Sequence, residues 1–427
     1  MPDPFFTVAI PTKNRPDRVA DAVRSVVEQS FGDLEVIVCD NSDAYEAAQT
    51  AMVVERFGDA RIRYERTSGR LSMPDNWEHA VSGARGEFVG VLTDRSVFRR
   101  DALQVIRDEI VSTDARLVTF LNDIYGRGPD GRGLRRRVCT HARYRHSSAA
   151  LLEYFVHGDP QFATKVVPKL MTSFCHRSVL AEIRSGPVGR CCPPVAPDFT
   201  SGFLMLAHCD WALSIDEALY VSVGSGNGAE FRHGGELADR FIRDLGMQRH
   251  ELVDRMPSSA CFAHALVLND LMRMGELVPD RLGHLDIDRT QYYLGCLNDY
   301  TKATRNGADR EADLALLLEG LGREQAPVVD RVKVTTVFAR AAAQRGVMER
   351  VKAKIVAVAG NPRTPPLPSF DTVFEAMAWD EAHPRSPSAR SFLDLTCTVD
   401  AMPRSRPSAV TRLREPLRRD RAAKGSR

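Results

Sequence analysis

The sequence lacks every common mark of a membrane-spanning, exported or cysteine-scaffolded chain. A helix needs about 20 apolar residues to span a bilayer, and stretches such as Phe203 to Ala207 fall far short of that. The opening MPDPFFTVAIPTKNR has no basic segment followed by a long apolar one, so no export signal is expected. Nine cysteines are scattered, only Cys191 and Cys192 lie close together, and neither a CxxC pair nor a Cys/His metal spacing occurs. These absences predict a reduced, cytoplasmic chain, free to work at the inner face of a membrane. Charge of one sign is also lacking: the formal net charge is +2, which implies no bulk polyanion such as nucleic acid as partner. The exception is local. From Pro403 onward nine bases face two acids, a net of +7 that leaves −5 for the remainder. Such a tail either touches membrane phosphates peripherally or is simply solvated.

What the chain has is length and pattern. Its 427 residues, 43% hydrophobic and 27% charged, suffice for two or three domains. Residues 5–10 (FFTVAI) read as a buried strand, and Pro16 suits the first turn of a helix whose Val19, Ala22, Val23, Val26 and Val27 share one face. LEVIVCD, 34–40, is a second strand ending in an acid. Further expectations are a helix over 47–57, a strand near 62–64, a helix over 74–84, a strand over 87–92 and a helix over 101–111. Strands alternating with helices predict a mostly parallel, Rossmann-like sheet covered on both faces. Ligands of such sheets sit beyond the carboxyl ends of the strands. The polar clusters 11–15, 40–43 and 94–96 all fall there.

Beyond 115 the expected elements are a strand over 117–121, a basic Gly/Arg loop over 126–137, helices over 148–157 and 172–184, and a helix begun and capped by Asp198. Residues 224–236 (GSGNGAEFRHGGE) form a glycine-dense loop without the following helix that a dinucleotide fingerprint requires. The domain reading is an α/β unit over 1–235, with a nucleotide half at 1–115 and an acceptor half at 116–235. A helical region over 236–360 and a Pro/Arg-rich, disordered tail over 361–427 follow.

Five segments, VAIPTKNRP, SVVEQSF, LEVIVCDNSD, NWEHAVSGARGEFVGVLTD and RRDAL, occur in an order that resembles the nucleotide-sugar-binding half of family 2 glycosyltransferases of the GT-A fold. The likeness is strong over the first quarter of the chain and weak to about residue 230. It implies transfer of a sugar from a nucleoside diphosphate sugar to a hydroxyl acceptor, glycan or lipid-linked, in glycan or polysaccharide assembly. It implies that Thr12, Arg15, Asp40, Asn76 and Asp94 line the nucleotide pocket and that Asp198 is the base, with inversion at the anomeric carbon. Asp94 matches the first acid of the family's Asp-x-Asp metal motif, but the last acid falls on Ser96, a poor ligand for Mg²⁺ or Mn²⁺. Two solutions stay open: a weakened divalent metal on Asp94, or Arg95 and Arg99 neutralising the diphosphate without metal. Arg232 in the glycine-dense loop is a further diphosphate candidate. Asp210 is a weaker rival to Asp198, and Trp77 reads as core.

Three other functions fit parts of the pattern. A catalytically inactive nucleotide-sugar-binding scaffold would share the fold. A nucleotidyltransferase would want glycine in PTKNRPDR, which has none. A dinucleotide-dependent oxidoreductase would need residues 224–229 to open a helix.

Overall fold

The computed structural model describes residues 3–128, 131–224, 236–330 and 368–384, with scattered positions at 332–336, 386–388, 393 and 400–401. Within the first half the elements are β1 (Phe6–Thr12), α1 (Pro16–Val27), β2 (Leu34–Asp40), α2 (Ala44–Glu55), β3 (Ile62–Arg66), α3 (Met73–Ser82), β4 (Phe88–Val91), β5 (Ser96–Phe98), α4 (Ala102–Thr113) and β6 (Leu117–Gly128). Then come β7 (Gly131–Arg135), β8 (Arg143–Ser147), α5 (Ser148–His157), α6 (Pro160–Val166), β9 (Ser173–His176), α7 (Arg177–Ser185), α8 (Pro197–Ala207) and β10 (Trp211–Val223). The helical region contributes α9 (Glu236–Asp244), α10 (Ala263–Leu277), α11 (Arg289–Arg305) and α12 (Glu311–Leu321). Near the C-terminus lie α13 (Val373–Ala382) and the two-residue strand β11 (Asp400–Ala401).

One mixed sheet runs β11-β8-β10-β6-β9-β4-β1-β2-β3, with β5 on β10 and β7 on β6. Its first half is parallel: β1 lies between β2 and β4, with Ala9 level with Ile37 on one side and Val91 on the other. All seven residues of β1 and of β2 are buried, as expected of strands covered on both faces. The valine face of α1 closes one side, and Val19, Val23 and Val26 each contribute roughly 1.5–3 kcal/mol by leaving water. Trp77 is buried on α3 in the core of the other face.

Three expectations need correction. Residues 172–184 are not one helix: a 3-10 turn over Leu170–Thr172 leads into β9, and α7 starts only at Arg177. β9 is antiparallel to both β4 and β6, and it buries Phe174 and Cys175 on opposite faces of the sheet, where the core on each side takes them. Gly90 of β4 makes room for the Phe174 ring, since a Cβ there would meet it at 2.8 Å. Second, the basic stretch is a hairpin: β6 runs on to Gly128 and pairs with β7, Tyr125 level with Leu134. Third, the Pro/Arg-rich span contains α13, whose Val373, Ala376 and Met377 pack on Tyr125, Val97 and Val221.

The helical region grips α8 at both ends. Arg281 donates to the Ala207 carbonyl at its C-terminal end (2.6 Å), and Asp270 of α10 meets its N-terminal turn. Midway, Gly202 lies against the Pro168 carbonyl with no room for a Cβ. Gly202→Ala is therefore expected to destabilise the chain by roughly 1–3 kcal/mol, read as a lower denaturation midpoint.

Candidate active site

The carboxyl ends of β2, β1 and β4 stand side by side, and the chain leaves each of them through a polar turn. At the end of β1 the Thr12 hydroxyl donates to Asp94 Oδ2 (3.0 Å), and Arg15, just before α1, reaches Asp94 Oδ1 (3.3 Å). The polar loop after β4 and the turn after β1 are thus joined through one buried carboxylate. Asn14, left-handed at φ 56°, ties the same turn to the β2 loop: its backbone N–H donates to Ser42 Oγ and its side-chain amide to Asp43.

Arg95 follows Asp94 and turns toward the end of β10, where it donates to the Gly224 carbonyl (3.3 Å). Burial pulls its pKa below the ordinary arginine value; the Asp94 charge opposes that, and the nearby Arg15 and Arg18 add to it. Asp94 thus pairs with Arg15 and neighbours Arg95, which in turn feels the charge of the exposed Arg18. Such a local excess of positive charge favours an anion. Arg18 was not anticipated; it lies in the first turn of α1, three residues beyond Arg15, which precedes the helix.

The other expected residues face inward. Asp40 is fully buried, accepting from Ser42 N–H (2.9 Å) and from the Tyr64 hydroxyl (2.8 Å). Asn76 on α3 accepts from the Cys39 thiol and donates to the Thr12 carbonyl, tying α3 to the ends of β1 and β2. Arg99 directs its guanidinium to Asp123 and to Asp380 of α13, both at 2.6 Å. Arg232 lies outside the described residues. Above the β1 turn, Asp244 of α9 pairs with Arg70 (3.0 Å) and more loosely with Lys13 (3.8 Å).

Ser96 does not act as a carboxylate would. Its hydroxyl hydrogen-bonds Thr93 (2.7 Å) and its backbone begins β5. The donor set at the loop is therefore one acid, already bonded to Thr12 and Arg15, with a guanidinium beside it. That set does not fit a divalent cation, which takes several hard, anionic oxygens. Among the described residues no three His, Cys, Asp or Glu side chains converge as metal ligands.

Asp198 is placed in the first turn of α8, not at its cap. The capping position is Ala196, Pro197 is the first helical residue, and Ala196 offers no side-chain acceptor. The buried Tyr220 phenol, pushed up to about 12 by burial, feels the charges of Arg95, Arg137 and Asp198, so Asp198 and Arg95 lie within electrostatic reach of one side chain. Asp210 lies elsewhere: it precedes β10, whose other end carries Val223 beside Arg95.

Residues 7–175 match the sequence profile of Glycosyl transferase family 2. Over 104 residues the chain is 30% identical to the GalNAc(5)-diNAcBac-PP-undecaprenol beta-1,3-glucosyltransferase of Campylobacter jejuni, an alignment covering 24% of this chain. The chain spans only about a third (33%) of that relative's length. Among solved structures, S. aureus TarS 1-349 in complex with UDP-GlcNAc aligns with a TM-score of 0.47 at 13% identity, over 86% of this chain and 99% of that one. The same fragment with UDP gives 0.41 at 14%, over 84% and 93%. Among the described residues no helix is long and apolar enough to cross a membrane.

Proposed function

We propose, from the match of residues 7–175 to the Glycosyl transferase family 2 profile, that the chain is an inverting transferase. It moves a sugar from a nucleoside diphosphate sugar to a hydroxyl acceptor in glycan assembly, without a metal at the diphosphate. The nucleotide lies across the ends of β1, β2 and β4. Thr12 and Arg15 border its pocket, and Asp40, Asn76 and Asp94 order the walls. Asp198 removes the acceptor hydroxyl proton as that oxygen bonds to the anomeric carbon. The bond from that carbon to the diphosphate breaks, and the diphosphate leaves with the electron pair. Arg95 and Arg15, with Arg18 behind them, neutralise the charge it carries away, a task for which the guanidinium fork suits phosphate oxygens.

The observation that carries this reading is Asp94 at the strand ends, paired with Arg15 and followed by Arg95, with no second acid at Ser96. The acceptor is a glycan or lipid-linked hydroxyl, a class supported by the name of the Campylobacter relative. The basic tail from Pro403 supplies peripheral contact with an anionic membrane surface.

Thermal melts with UDP, GDP, dTDP and CDP, each with Mn²⁺, Mg²⁺ or EDTA, test the donor half. A ligand at 100 times its Kd stabilises the folded chain by about 2.7 kcal/mol. The expected result is a shift with one nucleotide that EDTA leaves unchanged. A shift lost in EDTA would return the charge to a metal on Asp94, and no shift with any nucleotide would overturn the proposal.

A further inference from the structure

The helical region supplies a buried acceptor at the start of α8. The first turn of a helix leaves backbone N–H groups unpaired, and Ser, Thr, Asp or Asn at the cap normally meets one of them. Here the cap is Ala196, which has no such group. Asp270, on α10, accepts the N–H of Ala196 itself and the Thr200 hydroxyl on the same oxygen, Oδ2, both at 2.9 Å, and so ties the start of the helix to its first turn from outside. These two donors bracket Asp198 in sequence. Asp270 is 2% exposed, and burial pushes its carboxyl up to about 7 in spite of both bonds. A charge-capable group is kept in the interior at that cost where an apolar side chain would pack without it.

We propose that Asp270 is a positioning residue for the transfer reaction: from the helical region it bridges Ala196 and Thr200 and fixes the turn that presents Asp198 to the acceptor. The inference rests on the assignment of Asp198 as base. Arg281, holding the Ala207 carbonyl, fixes the far end of the same helix. The helical region is then a clamp on the base-bearing helix, and its attachment to the sheet domain has a catalytic consequence. A base displaced by about 1 Å loses on the order of a hundredfold in rate, so a first turn released from Asp270 is expected to reach the chemistry even while the fold holds.

The test is a mutant cycle on the full chain. The donor is whichever of UDP-, GDP-, dTDP- and CDP-glucose the wild type turns over, and single-turnover release of the free nucleoside diphosphate is followed. Asp270→Asn keeps an acceptor for both donors and is expected to stay within about threefold of wild type. Asp270→Leu is expected to lower the rate by about ten- to a hundredfold. Nucleotide binding, read as the melting shift with the matching diphosphate, should be retained. Thr200→Ala, which removes one of the two bonds, should give a smaller loss in the same direction; it stands in if the leucine variant does not fold. The deciding arm is the background of Asp198→Asn. If Asp270 acts through Asp198, neither Asp270→Leu nor Thr200→Ala lowers the residual rate further, whereas a general loss of folded protein would multiply through. Multiplicative losses, or an Asp270→Asn variant as poor as Asp270→Leu, would overturn the positioning role and leave the transferase reading intact. An Asp198→Asn variant with wild-type rate would remove the base assignment, and this inference with it.

Discussion

Asp198→Asn is expected to lower sugar transfer by roughly 10²–10⁴-fold while leaving stabilisation by the nucleoside diphosphate unchanged. The amide has the size and hydrogen-bonding reach of the carboxylate but cannot take the acceptor proton. Asp198 sits in the first turn of α8, where the helix end favours negative charge. Tyr220, which feels both Asp198 and Arg95, relates that turn to the cluster on which the donor half depends. Binding and chemistry should therefore separate cleanly. Asp210→Asn is the control. That residue lies before the first residue of β10, at the opposite end of the strand from Arg95, and its loss should be silent. Rates of transfer beside melting shifts for the two variants check both statements. A silent Asp198→Asn with nucleotide still bound would favour the inactive-scaffold function.

How much of this could be read from the sequence depended on how local the forces were. β1, α1 and β2 are written in short-range pattern: seven-residue apolar strands and a helix with a single valine face, so their limits fall within a residue or two of those expected. Their order then put the three polar turns on one sheet edge, and the bond from Thr12 to Asp94 joins two of them. β9 was not legible because four residues give no period, and Phe174 acquires its place only from Gly90 and the cores on either side. The basic hairpin looked like a loop because the group that covers Leu134 and Tyr125, α13, lies more than two hundred residues away. Asp198 looked like its own cap because an acid after proline usually is one. The buried acceptor that holds this turn, Asp270, is separated from Ala196 by 74 positions, and nothing in the local sequence of either residue announces the other.

Arg95→Ala is expected to weaken the nucleoside diphosphate about tenfold or more and to lower transfer by roughly 10²–10³-fold, the size of effect seen when one preorganised charge-stabilising donor is removed. Added Mn²⁺ should not restore activity. Asp94 has little left to offer a cation. It accepts from Thr12 and pairs with Arg15, and Ser96 is turned to Thr93, so removing Arg95 does not assemble a metal site in its place. Arg95→Lys should recover only part of the loss, because an ammonium offers one point of charge where the guanidinium offers a fork to two phosphate oxygens. Steady-state rates and nucleotide affinities for the two variants, each with Mn²⁺ and with EDTA, decide the matter. Wild-type activity that EDTA abolishes, or an alanine variant that Mn²⁺ rescues, would mean that Asp94 still carries a cation and that Arg95 only borders it.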